Sequence, residues 1–209
     1  MTTATTNAFD LQRIQRIRKW AIGLSLIAVV GLAMFSATWW GDGPTHEAVE
    51  SVGLGAIVLS IVGRAWCSLY IGGRKKAEVV STGPYSLSRN PLYVFSYAGA
   101  FGVGAQTGSL VIAALFVIIA VVVFHFTIAR EEAWLSAEFG GAYDDYMART
   151  PRCGPDFSKW RDEETLSIKP RFFLITIRDG LVFLLAIPIF EAVDMAQAAG
   201  WLPVLLRLP

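Results

Sequence analysis

Residues 92–129 read LYVFSYAGAFGVGAQTGSLVIAALFVIIAVVVFHFTIA, a run with no charge apart from His125. A helix needs about 20 apolar residues to cross roughly 30 Å of hydrocarbon, so this run is too long for a single crossing. Gly102, Gly104, Gln106, Gly108 and Ser109 gather near its middle, a composition that makes turns. The reading predicts a helical hairpin, 92–106 outward and 109–128 back. Glycines in the short first arm predict close helix packing. His125, near the end of the second arm, reads as a packed or interfacial histidine.

Upstream, residues 20–40 carry no charge and place tryptophans at both ends, where amphipathic rings prefer the membrane interface. Arg13, Arg16, Arg18 and Lys19 precede this run, which predicts a cytoplasmic N-terminus. The run is too long for a cleaved signal peptide and reads as a retained first span. The loop over 41–50 holds Asp42, Glu47 and Glu50 but no Lys or Arg. A second apolar segment, 51–73, then ends in Arg74-Lys75-Lys76. That asymmetry returns the chain to the cytoplasm. Arg64 lies inside the segment; such a group is a functional candidate, set against snorkelling or pairing with a neighbouring helix.

Downstream the character changes. Sixteen charged residues fall between Arg130 and Arg171. The stretch over 128–139 continues the hairpin's second helix into water, with Trp134, Leu135 and Phe139 as its apolar stripe. Gly140-Gly141 breaks it, a short helix carries Tyr143 and Tyr146 on one face, and Pro151, Gly154 and Pro155 mark a loop. A fifth span is expected near 172–193, despite Arg178, Asp179 and Pro188, followed by a short interfacial or re-entrant piece. The expected fold is an all-α integral membrane protein of about five spans, with a helical hairpin and a cytoplasmic helical extension. Its parts are 1–76 (two spans), 77–171 (the core) and 172–209 (the C-terminal membrane region).

The composition agrees, being 54% hydrophobic and 17% charged, too apolar for an ordinary soluble domain. A net charge of +1 leaves no basic stripe for nucleic acid. Cys67 and Cys153 are far apart, and His46 and His125 stand alone, so neither a disulfide nor a metal site is expected.

Two polar clusters meet at one cytoplasmic mouth if 92–128 doubles back. One is the strip over 77–93, with turn signals at Gly83-Pro84 and Asn90-Pro91. The other is Glu131-Glu132. Each alone also reads blandly, as a loop-and-cap device or a solvated helix face. Together they carry more: Gly83-Pro84-Tyr85, Arg89-Asn90-Pro91-Leu92-Tyr93, Glu131-Glu132-x-x-Leu135, Phe139-Gly140-x-x-Tyr143-x-x-Tyr146 and Pro151-Arg152 occur in order. In that order and spacing the chain resembles the isoprenylcysteine carboxyl methyltransferase family, which is related to the membrane phospholipid N-methyltransferases. The resemblance covers roughly residues 77–155.

The resemblance implies a membrane methyltransferase that uses S-adenosylmethionine and releases S-adenosylhomocysteine. It implies cofactor contacts at Glu78, Val79, Val80, Tyr85, Asn90, Pro91, Leu92, Tyr93, Glu131 and Glu132, and a lipophilic acceptor drawn from the membrane, with a carboxylate as the family's namesake. Arg89, Asn90 and Glu131 are the candidates for catalysis. Asn90 departs from the family's usual His; it can still donate and accept a hydrogen bond but cannot become cationic. The chemistry of these side chains is compatible on its own terms: a carboxylate pairs with an ammonium or ribose hydroxyls, tyrosine faces attract a sulfonium, and Arg89 suits a carboxylate. Three alternatives stay open: N-methylation of a phospholipid or amine, a nicotinamide-dependent membrane reductase, and an inactive membrane scaffold. No phosphate-cradling glycine loop supports the reductase.

Overall fold

The computed structural model describes residues 23–74 and 77–209. Arg13, Arg16, Arg18, Lys19, Lys75 and Lys76, the cations on which most of the expected sidedness rests, lie outside the described residues, as does Trp20.

The hairpin forms from α4 (Pro91–Ala105) and α5 (Leu110–Phe139). Pro91 starts α4, where a missing N–H costs nothing. Gly108 takes the left-handed conformation (φ +66°) that the turn needs. Ser109 caps α5, its hydroxyl oxygen accepting from the Ile112 amide at 3.4 Å. Ahead of the hairpin, helix α1 is described over Gly23–Met34. The expected span over 20–40 stops being helical there and continues into strand β1, Ser36–Thr38. Helix α2, Pro44–Ile71, starts earlier than the expected 51, because Pro44 is placed at its first turn.

Among the described residues three helical stretches are long and apolar enough to cross a membrane: Pro44–Ile71, Leu110–Phe139 and Pro170–Ala198, with a shorter apolar helix at Gly23–Met34. Helix α4 has 15 residues, about 22 Å of rise, and the described part of α1 is shorter still. After the one-turn helix α3 (Pro84–Leu87) and the hairpin come α6 (Gly141–Arg149) and a loop over 150–169. The third long stretch is α7 (Pro170–Leu181), a 3-10 turn, and α8 (Ala186–Ala198). The chain then departs from expectation. In place of an interfacial or re-entrant piece, the tail forms strand β2, Leu206–Leu208, which pairs in parallel with β1.

Helices α2 and α4 approach closely because glycines face the contact. A Cβ on Gly102 would lie 2.5 Å from the Gly53 carbonyl oxygen and 2.7 Å from Ile57 Cγ1, and one on Gly53 would lie 2.7 Å from Ala105 Cβ. A Cβ on Gly63 would overlap the Phe95 ring. Such small-residue contacts let membrane helices pack backbone to backbone.

The bundle therefore has two distinct ends. At one, the loop over 151–163 lies across the strip over 82–90: Arg89 N–H donates to the Pro151 carbonyl (2.8 Å), Asp156 N–H to Leu87 (3.0 Å) and Gly83 N–H to Arg161 (2.8 Å). At the other, β1, the start of α2, the hairpin turn, the end of α8 and the tail converge. There Gln197 donates to the Met34 and Ser36 carbonyls (2.9 and 3.2 Å), and Ser109 donates to the Pro209 carbonyl (2.8 Å).

Candidate active site

The first end holds a cleft of about 200 Å³ between the C-terminus of α2, the strip over 78–93, and the water-soluble part of α5 with α6. Of the residues expected at a cofactor site, Glu78, Val79, Val80, Tyr85, Asn90, Leu92, Tyr93 and Glu131 line it. Arg89 lines it too, with Ile71, Leu135, Tyr143 and Tyr146. Pro91 and Glu132 do not. Tyr93 and Glu131, the first arm's start and the second arm's end, both line it.

The twin acids thus diverge, as neighbours on a helix must, being about 100° apart around its axis. Glu131 faces the cleft. Glu132 turns away and gathers the cations: Arg152 Nε lies 3.0 Å and Arg89 Nε 3.5 Å from its carboxylate. Asn90 Nδ2 donates to the same carboxylate (3.2 Å) and to the Arg152 carbonyl (3.0 Å). Glu132 therefore ties three segments into one wall. Where the resembling family has His, Asn90 bridges this wall while one side lines the cleft.

The tyrosines are held as neutral phenols. Burial pushes Tyr143 up to about 12, with the Glu132 charge adding to it. Burial likewise raises Tyr146, then the neighbouring Tyr143, and it raises Tyr85 well above the usual phenol range. Tyr146 donates to the Tyr85 carbonyl at 2.7 Å. These side chains offer faces and hydroxyl donors, with no tyrosinate at neutral pH. Glu78, at the rim, is held below the usual carboxylate range by its hydrogen bond from Arg74.

Behind the cleft, toward the membrane-spanning part, lies a second, apolar cavity of about 630 Å³ between α4, α5 and the turn over 182–186. Tyr93 lines the cleft and Phe124 lines the cavity, and their rings are 4.9 Å apart, so this pair forms the wall between them. Among the described residues, Arg64 is the only charged one lining the apolar cavity. Its guanidinium donates to Ser96 Oγ and lies 5.8 Å from the Phe183 ring centre, while its buried Nε has no hydrogen-bond partner. Arg64 is therefore turned inward. His125 packs edge-on against Phe126 (5.6 Å) and lines neither space.

A polar-rimmed cleft and an apolar cavity thus lie side by side in a bundle whose helices are long and apolar enough to cross a membrane. The chain belongs to the phospholipid methyltransferase family, whose model matches residues 52–142, a span that includes α2 from residue 52 onward, the strip, the hairpin and the start of α6. Along nearly its whole length it is also similar to two curated proteins. It is 36% identical over 194 residues to the nickel-cobalt-cadmium resistance protein NccN of Alcaligenes xylosoxydans xylosoxydans, covering 93% of this chain and 90% of that one. It is 32% identical over 193 residues to the cobalt-zinc-cadmium resistance protein CzcN of Cupriavidus metallidurans, covering 92% and 88%. No solved structure matches.

Sequence reasoning named the cleft's polar rim and marked Arg64 as a functional candidate without a direction, but assigned no site role to Ile71, Leu135, Tyr143 or Tyr146. For Arg64 the signal was present, an arginine in an apolar span, yet its direction depends on a neighbouring helix.

Proposed function

We propose that the chain is a membrane methyltransferase that takes its methyl group from S-adenosylmethionine at the cleft and passes it to a lipophilic carboxylate held in the apolar cavity. The observation that carries this reading is the common wall: Tyr93 lines the cleft with Glu131, and its ring lies tilted 4.9 Å from that of Phe124, which lines the apolar cavity. The residues present suit the donor. Glu131 and Glu78 offer carboxylates for an ammonium or ribose hydroxyls, Val79, Val80 and Leu92 offer apolar contact, and Arg89 offers a cation for a carboxylate. S-adenosylmethionine supplies an electrophilic methyl on a sulfonium. The protein's part is to position, to exclude water and to stabilise charge. Neutral Tyr85, Tyr93, Tyr143 and Tyr146 give a cation-tolerant wall, and the Glu132 network holds the strip and the loop over 151–153 in place.

Arg64 favours a carboxylate acceptor. A guanidinium at the polar end of an apolar chamber attracts an anionic head whose tail fills the chamber, and repels an ammonium. A carboxylate also needs no base to accept a methyl group, and no histidine lines either space. The second reading, N-methylation of a phospholipid head group, is favoured by the family's own description. The proposal places cleft and N-terminus on the cytoplasmic side, with 1–76, 77–171 and 172–209 as the working divisions.

Titration of the detergent-solubilised protein with S-adenosylhomocysteine tests the donor half, with one site expected; no binding refutes it. Incubating membranes with methyl-labelled cofactor tests the acceptor half. Base-labile label is expected, and label confined to base-stable methylamines would establish the second reading. We also propose that this transfer serves tolerance of divalent metals, since the two relatives are named for metal resistance. Loss of the protein should then lower growth in cobalt or nickel, and Glu131→Gln should fail to restore it.

A further inference from the structure

The opposite end of the bundle carries a second constellation that methyl transfer does not use. His46 and Glu50 are four residues apart on one face of α2, and Asp194 reaches them from α8. The three ligand-type atoms, one from each side chain, lie within 4.8 Å of one another. His46 and Asp194 border a cavity that Asp42, Thr107, Gln197 and Arg207 also line.

The His46 ring lies between two partners, with Thr38 Oγ1 3.4 Å from Nδ1 and Glu50 Oε1 3.1 Å from Nε2. Among the described residues no donor is hydrogen-bonded to Asp194, and no ion pair joins Arg207 to Glu50 or Asp194. Two carboxylates and an imidazole thus converge on one point, and a divalent cation bound through Nε2 would answer all three groups while Nδ1–H donates to Thr38.

We propose that His46, Glu50 and Asp194 form a binding site for a divalent transition-metal ion, at the end of the molecule remote from the methyl-transfer cleft. Tetrahedral ligand bonds of about 2.0–2.2 Å set neighbouring ligand atoms about 3.4 Å apart; His46 Nε2 and Glu50 Oε1, at 3.1 Å, already stand near that spacing, and a rotamer adjustment of Asp194 from within 4.8 Å completes the site. Its frame is built. The His46 ring packs against Gly108, where a side chain would overlap it; Gln106 donates to the Glu50 carbonyl at 3.1 Å; and Gln197, one turn from Asp194, ties α8 to the end of α1 and to β1. With an ion on Nε2, Nδ1–H would donate to Thr38, whose Oγ1 lies 3.4 Å away, the outer hydrogen bond that orients a metal-binding histidine. One imidazole and two carboxylates without a thiolate suit Zn²⁺, Co²⁺ or Ni²⁺ rather than Cu⁺. The remaining positions fall to water from the cavity or to Asp42.

The test uses tag-free full-length protein in nanodiscs, in a Cys153→Ser background that removes the accessible thiol, with Co²⁺ as probe. One equivalent with visible d–d absorption is expected. His46→Gln and Asp194→Asn should each weaken it at least tenfold, while the metal-free variants keep the wild-type melting temperature. No bound Co²⁺ in the wild type, or wild-type affinity in both variants, overturns the proposal. Where a variant fails to fold, the wild type still decides: Co²⁺ should protect His46, and not His125, from carbethoxylation, and equal modification of both refutes the site.

Discussion

Exchanging each of the twin acids for its amide separates binding from architecture. Glu132→Gln leaves Arg89 and Arg152 facing a neutral amide. The side chains of Glu132 and Arg89 are 14% exposed and that of Arg152 is 35% exposed. Breaking a fully buried pair costs about 3–5 kcal/mol; the exposure of Arg152 reduces this to about 2–3 kcal/mol. For a chain of this size that is a fall in melting temperature of about 5–10 °C. Glu131→Gln instead removes a carboxylate that faces the cleft, so stability should change little. A charge-assisted hydrogen bond to the ligand is worth about 1.5–3 kcal/mol, which is roughly a 10- to 150-fold loss of affinity. The assay is a pair of measurements on each variant: thermal unfolding in detergent and calorimetric titration with S-adenosylhomocysteine. Should Glu132→Gln melt with the wild type while losing binding, and Glu131→Gln do the reverse, the assignment of roles is refuted.

Arg64→Gln should weaken binding of a fluorescent long-chain fatty acid by about tenfold or more, leave its methyl ester unaffected, and spare S-adenosylhomocysteine binding; equal retention of the acid would remove Arg64 from the acceptor site. Gly102→Val should destabilise by about 1–3 kcal/mol through overpacking of α2 on α4, read as a lowered melting temperature. Gly55→Ala is the control, because a Cβ there meets nothing within 4 Å. Alkaline stability follows from the tyrosines. Tyr85, Tyr143 and Tyr146 have folded-state values above the unfolded phenol's roughly 10. Their contribution is complete below that pH and is lost as pH rises through the folded values, about 12 for Tyr143. The melting temperature should therefore fall between pH 10 and about 12, and Tyr143→Phe should reduce that fall.

The hairpin and its polar mouth were legible because they are local features. An uncharged run too long for one span, with glycines at its centre, has one economical geometry, and it delivers Tyr93 to Glu131. Which of the two acids faces the ligand was not legible, since it depends on the rotation of α5 against the strip and on where Arg89 and Arg152 come to lie. The C-terminal tail was opaque for a different reason. A three-residue strand has no periodicity to read, and its partner, Ser36–Thr38, follows an apolar helix at the other end of the described chain. His46 looked solitary on the same account, because Asp194 joins it only through the packing of α8.

The short arm of the hairpin explains why the tail is needed. At about 22 Å of rise, α4 is shorter than the roughly 30 Å of a bilayer's hydrocarbon, and the backbone groups of the turn after it find partners within the protein, as a membrane setting requires. The tail supplies several of them. The Pro209 carbonyl accepts from Ser109 Oγ (2.8 Å) and from the Val111 amide (3.2 Å), and the Phe35 carbonyl accepts from the Leu205 amide (2.8 Å). Gln106 satisfies the Glu50 carbonyl from the turn itself. The same contacts position α2's first turn, and with it His46 and Glu50, beside α8. A short glycine-rich helix that packs closely enough to shape the methyl-transfer end thus requires a polar, strand-paired closure at the other, and that closure is what assembles the second cluster of ligands.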